Sequence, residues 1–316
     1  MTPVKTIIGN DPALKALLSS IKKIAPTDVT VLITGETGTG KELVANAILK
    51  NSRRKNKPFI PLNCAALSES LIESELFGYC KGAFTGALAD KGGILAAVDS
   101  GTLFLDEINS LSLSVQMKLL RFIETGEYLP IGAIKTHKAD VRIIAASNAN
   151  LGQQVELGMF RKDLYFRLNI VPLMLPPLRE RPQDIELLIN HFMGYFAKKY
   201  AITPPSISAE ALAKLQCYFW PGNIRELRNL CENLAIFPLD RPVEMTDLPR
   251  GYLQPRKTEV EKLFELPEQG FNWPEQEFNL IRQAMAKTNG NYQQASLLLG
   301  MSRDALYYRV KKHGLR

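Results

Sequence analysis

Two short motifs in the first half of the chain have the residue types needed to bind and hydrolyse a nucleotide. The first, GETGTGKE, fits the pattern G-x-x-x-x-G-K, follows an apolar run directly and opens a helical pattern. Glycines in such a turn let backbone N–H groups surround phosphates, and Lys41 adds a charge that reaches the β- and γ-phosphates. We expect the whole loop to bind the cofactor: Gly35, Glu36, Thr37, Gly38, Thr39, Gly40, Lys41 and Glu42.

The second motif is GTLFLDEI, an apolar strand pattern that ends in Asp106 and Glu107. We expect Asp106 to hold Mg²⁺, directly or through water, and Glu107 to orient the attacking water as a base. Two adjacent acids can also form a solvated turn, but a phosphate loop on an earlier strand favours catalysis. Glu42 stands where a Ser or Thr usually offers a hydroxyl to Mg²⁺, which leaves the metal coordination open.

Five apolar runs separated by helical patterns predict the sheet that positions these motifs. Because the runs lack polar alternation, they indicate a parallel sheet covered by helices on both faces, and therefore an α/β fold. The runs are Val29–Gly35, Phe59–Cys64, Gly101–Glu107, Val141–Asn148 and Ile170–Leu175. This α/β unit covers residues 1–175.

Helical patterns replace the strand patterns after residue 175. Residues 176–249 predict a helical subdomain, with one helix that has an apolar face and a second that begins near Asn223. We expect Asn223 to cap that second helix and Glu226 to complete a capping box. The apolar face of the first helix carries Ile185, Leu188, Ile189, Phe192 and Phe196. Residues 250–271 are charged and contain Pro and Gly, which predicts a linker.

Residues 272–316 predict a helix-turn-helix domain. Asn291 and Ser302 are expected to cap two short helices on either side of a turn at Gly300, with Ala295, Leu298, Leu306 and Val310 as the core. The second helix would contact DNA bases near its start and phosphates near its end. The alternative is a basic, solvated helix in an ordinary three-helix unit. The expected DNA-binding residues are Ser302, Arg303, Asp304, Tyr308, Lys311 and Lys312.

Charge and composition support this division. The net charge is +7, and the stretch from Arg282 onward is basic with Asp304 as its single acid, so a polyanion should bind there. No apolar run approaches the roughly 20 residues needed to span a bilayer, so no membrane partner is expected. The four cysteines form no metal-binding or CxxC pattern. We therefore expect reduced thiols in a cytoplasmic protein.

Five segments together resemble one known family. They are GETGTGKE, ELFGYCKGAFTGA, GTLFLDEI, FRKDLYFRLNIVPLMLPPLRER and WPGNIRELRN. They are similar to the AAA+ domain of bacterial enhancer-binding proteins, the NtrC-like activators of sigma-54 RNA polymerase. The resemblance extends over almost the whole chain and implies an AAA+ P-loop NTPase, a helical lid at 176–249, here called the lid region, and a Fis-type DNA-binding domain that dimerises. It also implies ATP and Mg²⁺ as cofactors.

The resemblance also implies a function for the glycine-rich loop GAFTGA. In the family this loop rises from the AAA+ ring and touches sigma-54. A flexible finger with one aromatic and one hydroxyl suits a contact that forms and breaks with the nucleotide state. We expect Phe84 to anchor the contact and Thr85 to be its polar partner. The expected sigma-54 contacts are Gly82, Ala83, Phe84, Thr85, Gly86 and Ala87.

Further catalytic roles follow from the resemblance alone. Asn63 matches the residue that holds the second acid in a switchable position, and Asn148 matches sensor I. Arg161 and Arg167 match arginine fingers that act on a neighbouring subunit, and Arg225 matches sensor II. Fingers supplied in trans make assembly part of catalysis, so the family implies a ring, usually a hexamer.

The sequence departs from the family at several positions. Ala96 replaces a frequent acid and Pro130 a frequent Arg, which puts one route of communication between subunits in doubt. Tyr79 and Cys80 replace a common His and Glu. The phosphate loop begins at Gly35, which leaves no room for a preceding sensor domain. We therefore expect control by an inhibitory protein in trans, by expression level or not at all, unless the sequence is part of a longer protein.

The expected function is a sigma-54-dependent activator. It would bind an upstream DNA site, oligomerise and use ATP hydrolysis to drive the GAFTGA loops against sigma-54, so that the closed promoter complex opens. Two alternatives stay open: a DNA-binding repressor with a vestigial AAA+ domain, and an AAA+ remodeller outside transcription, such as a replication loader. An ATPase assay separates the first alternative, and a pull-down against sigma-54 separates the second.

Overall fold

The computed structural model describes residues 7–236, 241–253, 272–288 and 290–314. The chain divides into two compact units, residues 1–256 and 257–316, each considered by itself. Most of the linker predicted at 250–271 lies outside the described residues. The part that is described, Arg250–Leu253, forms a short helix.

A five-stranded parallel sheet lies at the centre of the first unit. Its order is β2-β5-β8-β1-β9, and all five predicted runs form these strands. Two short antiparallel ribbons, β3 with β4 and β6 with β7, lie outside this sheet. The strands are β1 (Val31–Thr34), β2 (Phe59–Asn63), β3 (Gly78–Tyr79), β4 (Lys91–Gly92), β5 (Thr102–Asp106), β6 (Glu127–Tyr128), β7 (His137–Lys138), β8 (Arg142–Ser147) and β9 (Val171–Met174).

Helices cover both faces of the sheet and then form the lid region. The central strands β1, β5 and β8 are almost wholly buried, because helices pack on each face. The helices of this unit are α1 (Pro12–Ile24), α2 (Lys41–Lys50), α3 (Glu69–Phe77), α4 (Ile94–Ala97), α5 (Leu113–Thr125), α6 (Leu151–Glu156), α7 (Lys162–Leu168), α8 (Gln183–Tyr200), α9 (Ala209–Gln216), α10 (Asn223–Ile236) and α11 (Arg250–Leu253).

The lid region has a core of its own around Trp220. The Trp220 side chain is fully buried, and its Nε1–H donates to Leu215 O at 2.9 Å. The predicted face of α8 is buried in the same core. The predicted capping box at α10 is only half correct. Glu226 accepts from the Gly222 N–H at 2.8 Å, but Asn223 lies inside the helix and its side chain bonds elsewhere.

The second unit contains three helices in its described residues: α12 (Trp273–Lys287), α13 (Tyr292–Leu298) and α14 (Arg303–Lys312). Asn291 caps α13 and Ser302 caps α14, as predicted. The core prediction was wrong for Leu298, which is 62% exposed. The buried face of α13 carries Ala295 and Ser296, and Leu298 lies roughly 100° or more around the helix from its centre.

No helix in the described parts of the chain is long and apolar enough to cross a membrane. The four cysteines are unpaired, and Cys64 and Cys231 are buried. Burial raises the pKa of each of these two thiols to about 12, so both stay protonated at neutral pH.

Candidate functional site

A cavity of about 530 Å³ lies where the carboxyl edge of the sheet meets the lid region. One part of its lining is polar and includes Gly38, Lys41, Asp106 and Arg225. The other part is apolar and includes Ile7, Ile8, Leu188 and Phe192. The lining therefore combines charged and apolar side chains, as ligand-binding cavities commonly do.

Lys41 is one of two buried cations that line this cavity, the other being Arg181. Its side chain lies under the loop, and Nζ donates to Gly35 O at 2.8 Å and to Glu36 O at 3.1 Å. Burial lowers the pKa of Lys41, and the nearby charges of Asp106 and Glu107 partly restore it. The loop thus holds a lysine in reach of the cavity with two carbonyls as its present partners.

The loop backbone needs its glycines for two different reasons. Gly38 and Gly40 have φ values of +81° and +102°, which side chains rarely adopt. A Cβ on Gly38 would also lie 2.3 Å from Gly222 O, so the lid backbone is in direct contact with the loop. Thr39 is buried and donates from Oγ1 to Glu36 O, whereas Glu42 lines the cavity in the first turn of α2.

Asp106 and Glu107 follow β5 at the same edge of the sheet. Asp106 lines the cavity, and its Oδ1 accepts from the Glu107 N–H at 3.0 Å. Glu107 has φ +55°, an uncommon conformation for a residue with a side chain. The backbone therefore changes direction directly after β5. The charges of both acids raise the pKa of Lys41.

The two expected asparagines differ in their placement. Asn148 follows β8 and donates from Nδ2 to Thr37 Oγ1 at 3.3 Å, so it reaches the phosphate loop. Asn63 pairs with Asp106 in the register of β2 and β5. Its Oδ1 accepts from the Ala65 N–H at 2.8 Å, and the expected contact with Glu107 is not made among the described residues.

The expected arginine fingers lie outside the cavity of their own chain. Arg161 precedes α7 and forms two hydrogen bonds with Asp163, at 3.0 and 2.6 Å. Asp163 raises the pKa of Arg161, which stays fully charged. Arg167 is exposed and donates weakly to Ile123 O at 3.4 Å. Neither arginine lines the cavity, whereas Arg225 does.

Sequence reasoning missed two residues that bridge the phosphate loop to the lid region. Arg179 donates two hydrogen bonds to the Glu36 carboxylate, at 2.8 and 2.6 Å. Asn223 donates to Glu36 Oε2 and to Thr37 O, both at 3.1 Å. Arg179 stands in LRER, a segment singled out only by the resemblance, whereas Asn223 was expected only to cap a helix.

The GAFTGA loop has an exposed tip, Phe84–Thr85, and a stem, residues 78–80, that is hydrogen-bonded to a neighbouring loop. Phe84 is 45% exposed and packs edge-on against Tyr79, with ring centroids 4.9 Å apart. A Cβ on Gly82 or Gly86 would meet nothing within 4 Å. Ala87, expected to join the contact, is 5% exposed, and its N–H closes the turn to Phe84 O.

The stem of this loop is tied to the loop that carries Pro130. The Cys80 N–H donates to Ile131 O, and the Ile131 N–H donates to Gly78 O, both at 2.9 Å. Two of the departures from the family, Tyr79 and Cys80, thus serve as the aromatic neighbour of Phe84 and as a backbone bridge. Ala96 is exposed at the end of α4.

In the second unit the expected DNA-binding residues lie on the surface of α14 and at its cap. Ser302, Arg303, Asp304, Tyr308, Lys311 and Lys312 are all exposed. Arg309 does not belong to this surface, because its Nε donates to Glu277 Oε1 at 2.8 Å. His313 lies 3.0 Å from the other oxygen of Glu277, so one acid on α12 holds two basic residues of the last helix segment.

The residues around the cavity fit a nucleotide with a divalent ion. Arg181, 2% exposed, lines the cavity, and its Nε and Nη2 have no hydrogen-bond partner, so the lining retains free donors. Asp106 is the acid expected to hold the metal. No group of three metal-binding side chains occurs in the described residues, and Mg²⁺ commonly needs only one or two carboxylates when phosphates supply other ligands.

Family models match most of the chain. Residues 7–174 match the sigma-54 interaction domain, 179–263 an AAA+ ATPase lid domain, and 273–313 the bacterial regulatory protein, Fis family. The chain is 44% identical to UacR of Escherichia coli over 99% of its length, 43% identical to the regulatory protein AtoC of Escherichia coli over 98%, and 43% identical to the sigma54-dependent transcriptional regulator SfnR of Pseudomonas fluorescens over 97%.

The matched share of these relatives varies. The chain spans about half of UacR (54%), 68% of AtoC and 88% of SfnR. Among solved structures, NtrX from Brucella abortus in complex with ATP is similar with a TM-score of 0.73 and 33% identity. That likeness covers 100% of this chain and 71% of NtrX, and the complex with ADP has the same score.

Proposed function

The chain belongs to the family of sigma-54-dependent transcriptional regulators, and from this premise we propose that it activates sigma-54 RNA polymerase by hydrolysing ATP. Residues 1–175 and the lid at 176–249 form the ATPase, 250–271 the linker and 272–316 the DNA-binding domain. The observation that supports the proposal is that Lys41, Asp106 and Arg225 line one and the same cavity.

Lys41, Asp106 and Arg225 line this cavity, and Glu107 and Asn148 follow strands at the same edge of the sheet; together they would carry out phosphoryl transfer. Attack by water would cleave the bond between the β- and γ-phosphates of ATP and give ADP and phosphate, and Mg²⁺ would neutralise charge on their oxygens. Lys41, held by two carbonyls, redirects its Nζ–H donors to phosphate oxygens, and Asp106 holds the metal. Glu107 orients water and takes its proton, while Asn148 is placed on the loop by Thr37. Arg225 adds positive charge from the lid side.

Catalysis requires a second copy of the chain. Arg161 and Arg167 lie outside the cavity of their own subunit, so they act on the cavity of a neighbour in a ring, which we propose is a hexamer. A guanidinium brought to the γ-phosphate stabilises charge that develops in the transition state. Arg161 must then exchange Asp163 for phosphate oxygens when the ring forms.

The exposed Phe84–Thr85 tip is the element that contacts sigma-54. Its glycine-flanked backbone has free space on both sides, and its stem is braced by Ile131, so the tip can move while its base is held. DNA is bound at an upstream site by α14, where Lys311 and Lys312 contact phosphates and Ser302 and Arg303 lie at the helix start that faces bases.

Transcription in vitro tests the proposal directly. Sigma-54 polymerase on a promoter that carries the upstream site should form open complexes with ATP, and should not with a non-hydrolysable analogue. The Lys41→Ala chain is the matched control, because it keeps the tip and the DNA-binding domain. Open complexes formed equally with the analogue would overturn the proposal.

A further inference from the structure

The side chain of Glu36, the second residue of the phosphate loop, faces the lid rather than the cavity. Both carboxylate oxygens accept from the Arg179 guanidinium in a two-pronged pair, at 2.8 and 2.6 Å. Arg179 is held on its other side by the ring of Phe219, 4.5 Å from the guanidinium carbon. The pairing with Arg179 lowers the pKa of Glu36, so the pair is charged throughout the neutral range.

Asn223 connects the same stretch of loop to the start of α10. It is fully buried and has φ +50°, a conformation that Asn tolerates better than most residues. Its Nδ2 donates to Glu36 Oε2 and Thr37 O, and its Oδ1 accepts from the Leu178 N–H at 2.8 Å. The side chain thus joins the loop, the entry to the lid and the helix start.

The backbone completes this connection. The Ile224 N–H donates to Gly38 O at 3.0 Å, and Gly222 O occupies the space next to Gly38. The next residue, Arg225, lines the cavity. On the other side of the loop, Lys41 Nζ holds the carbonyls of Gly35 and Glu36. The short segment 35–38 is therefore hydrogen-bonded to the catalytic lysine on one side and to the lid on the other.

We infer that Glu36, Arg179 and Asn223 form a latch that sets the position of Arg225 over the cavity and transmits loop movement to the lid. When Lys41 Nζ exchanges the carbonyls of Gly35 and Glu36 for phosphate oxygens, it releases the segment 35–38. The lid is hydrogen-bonded to this same segment. These three are positioning residues, since their side chains do not line the cavity. The inference rests on the proposed ATPase function and deepens it.

Amide hydrogen exchange of the nucleotide-free protein tests the latch without any turnover. The reporter is the Ile224 amide, which donates to Gly38 O. In Arg179→Ala this amide should exchange about tenfold faster, a modest factor because both partners of the pair are partly exposed. Arg179→Lys, which retains the charge but cannot donate two parallel hydrogen bonds, should give an exchange rate between those of the wild type and Arg179→Ala. Unchanged protection in α8 shows that the variant is folded.

Arg241→Ala is the matched control. Arg241 also forms a two-pronged pair, with Asp247 at 2.7 and 2.9 Å, but that pair joins residues of the lid region only to each other. The Arg241→Ala variant should leave the exchange rate of the Ile224 amide unchanged. Equal acceleration by Arg241→Ala and Arg179→Ala would overturn the latch, because it would show general loosening of the lid.

Release of a fluorescent ADP provides the second readout. Glu36→Gln and Arg179→Ala should each speed release about three- to tenfold, and the double variant no more than the stronger single one. Multiplying effects in the double variant would overturn the latch and leave the ATPase intact. A wild-type chain that binds no nucleotide would overturn the proposed function, and the latch with it.

Discussion

Mixing two defective chains tests whether the catalytic site is shared between subunits. The Arg161→Ala chain keeps the cavity and loses a finger, whereas the Lys41→Ala chain loses the cavity and keeps both fingers. Arg161 and Arg167 lie outside the cavity of their own chain, so under the proposed function one subunit alone should have an incomplete site. Each variant by itself should hydrolyse ATP about 10³-fold more slowly than the wild type.

The expected recovery follows from the geometry of a ring. In a random equimolar mixture, half of the subunits offer an intact cavity, and half of their neighbours on the finger side offer an intact Arg161. About one quarter of the sites are therefore complete, and the mixture should regain about a quarter of wild-type turnover. Steady-state phosphate release measures this, after native mass spectrometry has demonstrated mixed rings.

Two outcomes would refute the reasoning. Mixed rings that are no faster than either parent would place the fingers in cis or outside catalysis. Wild-type turnover by Arg161→Ala alone would remove that residue from the site, and Arg167→Ala then repeats the test. Asp163→Asn is the matched control, because it frees Arg161 from its present partner and should not lower turnover.

Four further outcomes are expected. Glu107→Gln should still bind ATP but lose turnover, measured by filter binding and phosphate release; continued hydrolysis would contradict its role as base. Thr85→Ala should hydrolyse ATP normally and fail in open-complex formation, since the tip lies outside the cavity; normal transcription would refute the loop assignment. Replacing Lys311 and Lys312 by Ala should reduce the slope of log affinity against log salt by about 2 in a DNA titration, and an unchanged slope counts against phosphate contacts there. Trp220→Ala should destabilise the lid by about 3–5 kcal/mol in chemical denaturation, because a fully buried indole and its hydrogen bond are lost; a loss below about 1 kcal/mol would mean that this core can close around the gap.

Local patterns were enough to predict the elements that carry the site. The five apolar runs all form strands of one parallel sheet, and Lys41 and Asp106 meet at its carboxyl edge because parallel strands end together. The caps Asn291 and Ser302 were also predictable, since a cap bonds to amides two or three residues away. Such features depend on neighbours in sequence, which the sequence displays directly.

Contacts between distant segments were not predictable in this way. Arg179 and Glu36 are 143 positions apart, and Asn223 and Glu36 are 187 positions apart. A helix-start pattern assigned Asn223 to a cap, but the fold places the phosphate loop beside it and offers stronger partners. The core prediction for Leu298 was wrong for a similar reason, because burial depends on which neighbour packs on each face.

By itself, the sequence determined which residues are able to bind phosphate, polarise water and contact DNA, because those abilities belong to side-chain types at short spacing. The tertiary structure alone decided which of them share a cavity, which arginines lie outside it, and how the loop is bonded to the lid. Those decisions depend on the packing of segments far apart in the chain, where a difference of one helical face moves a side chain from one partner to another.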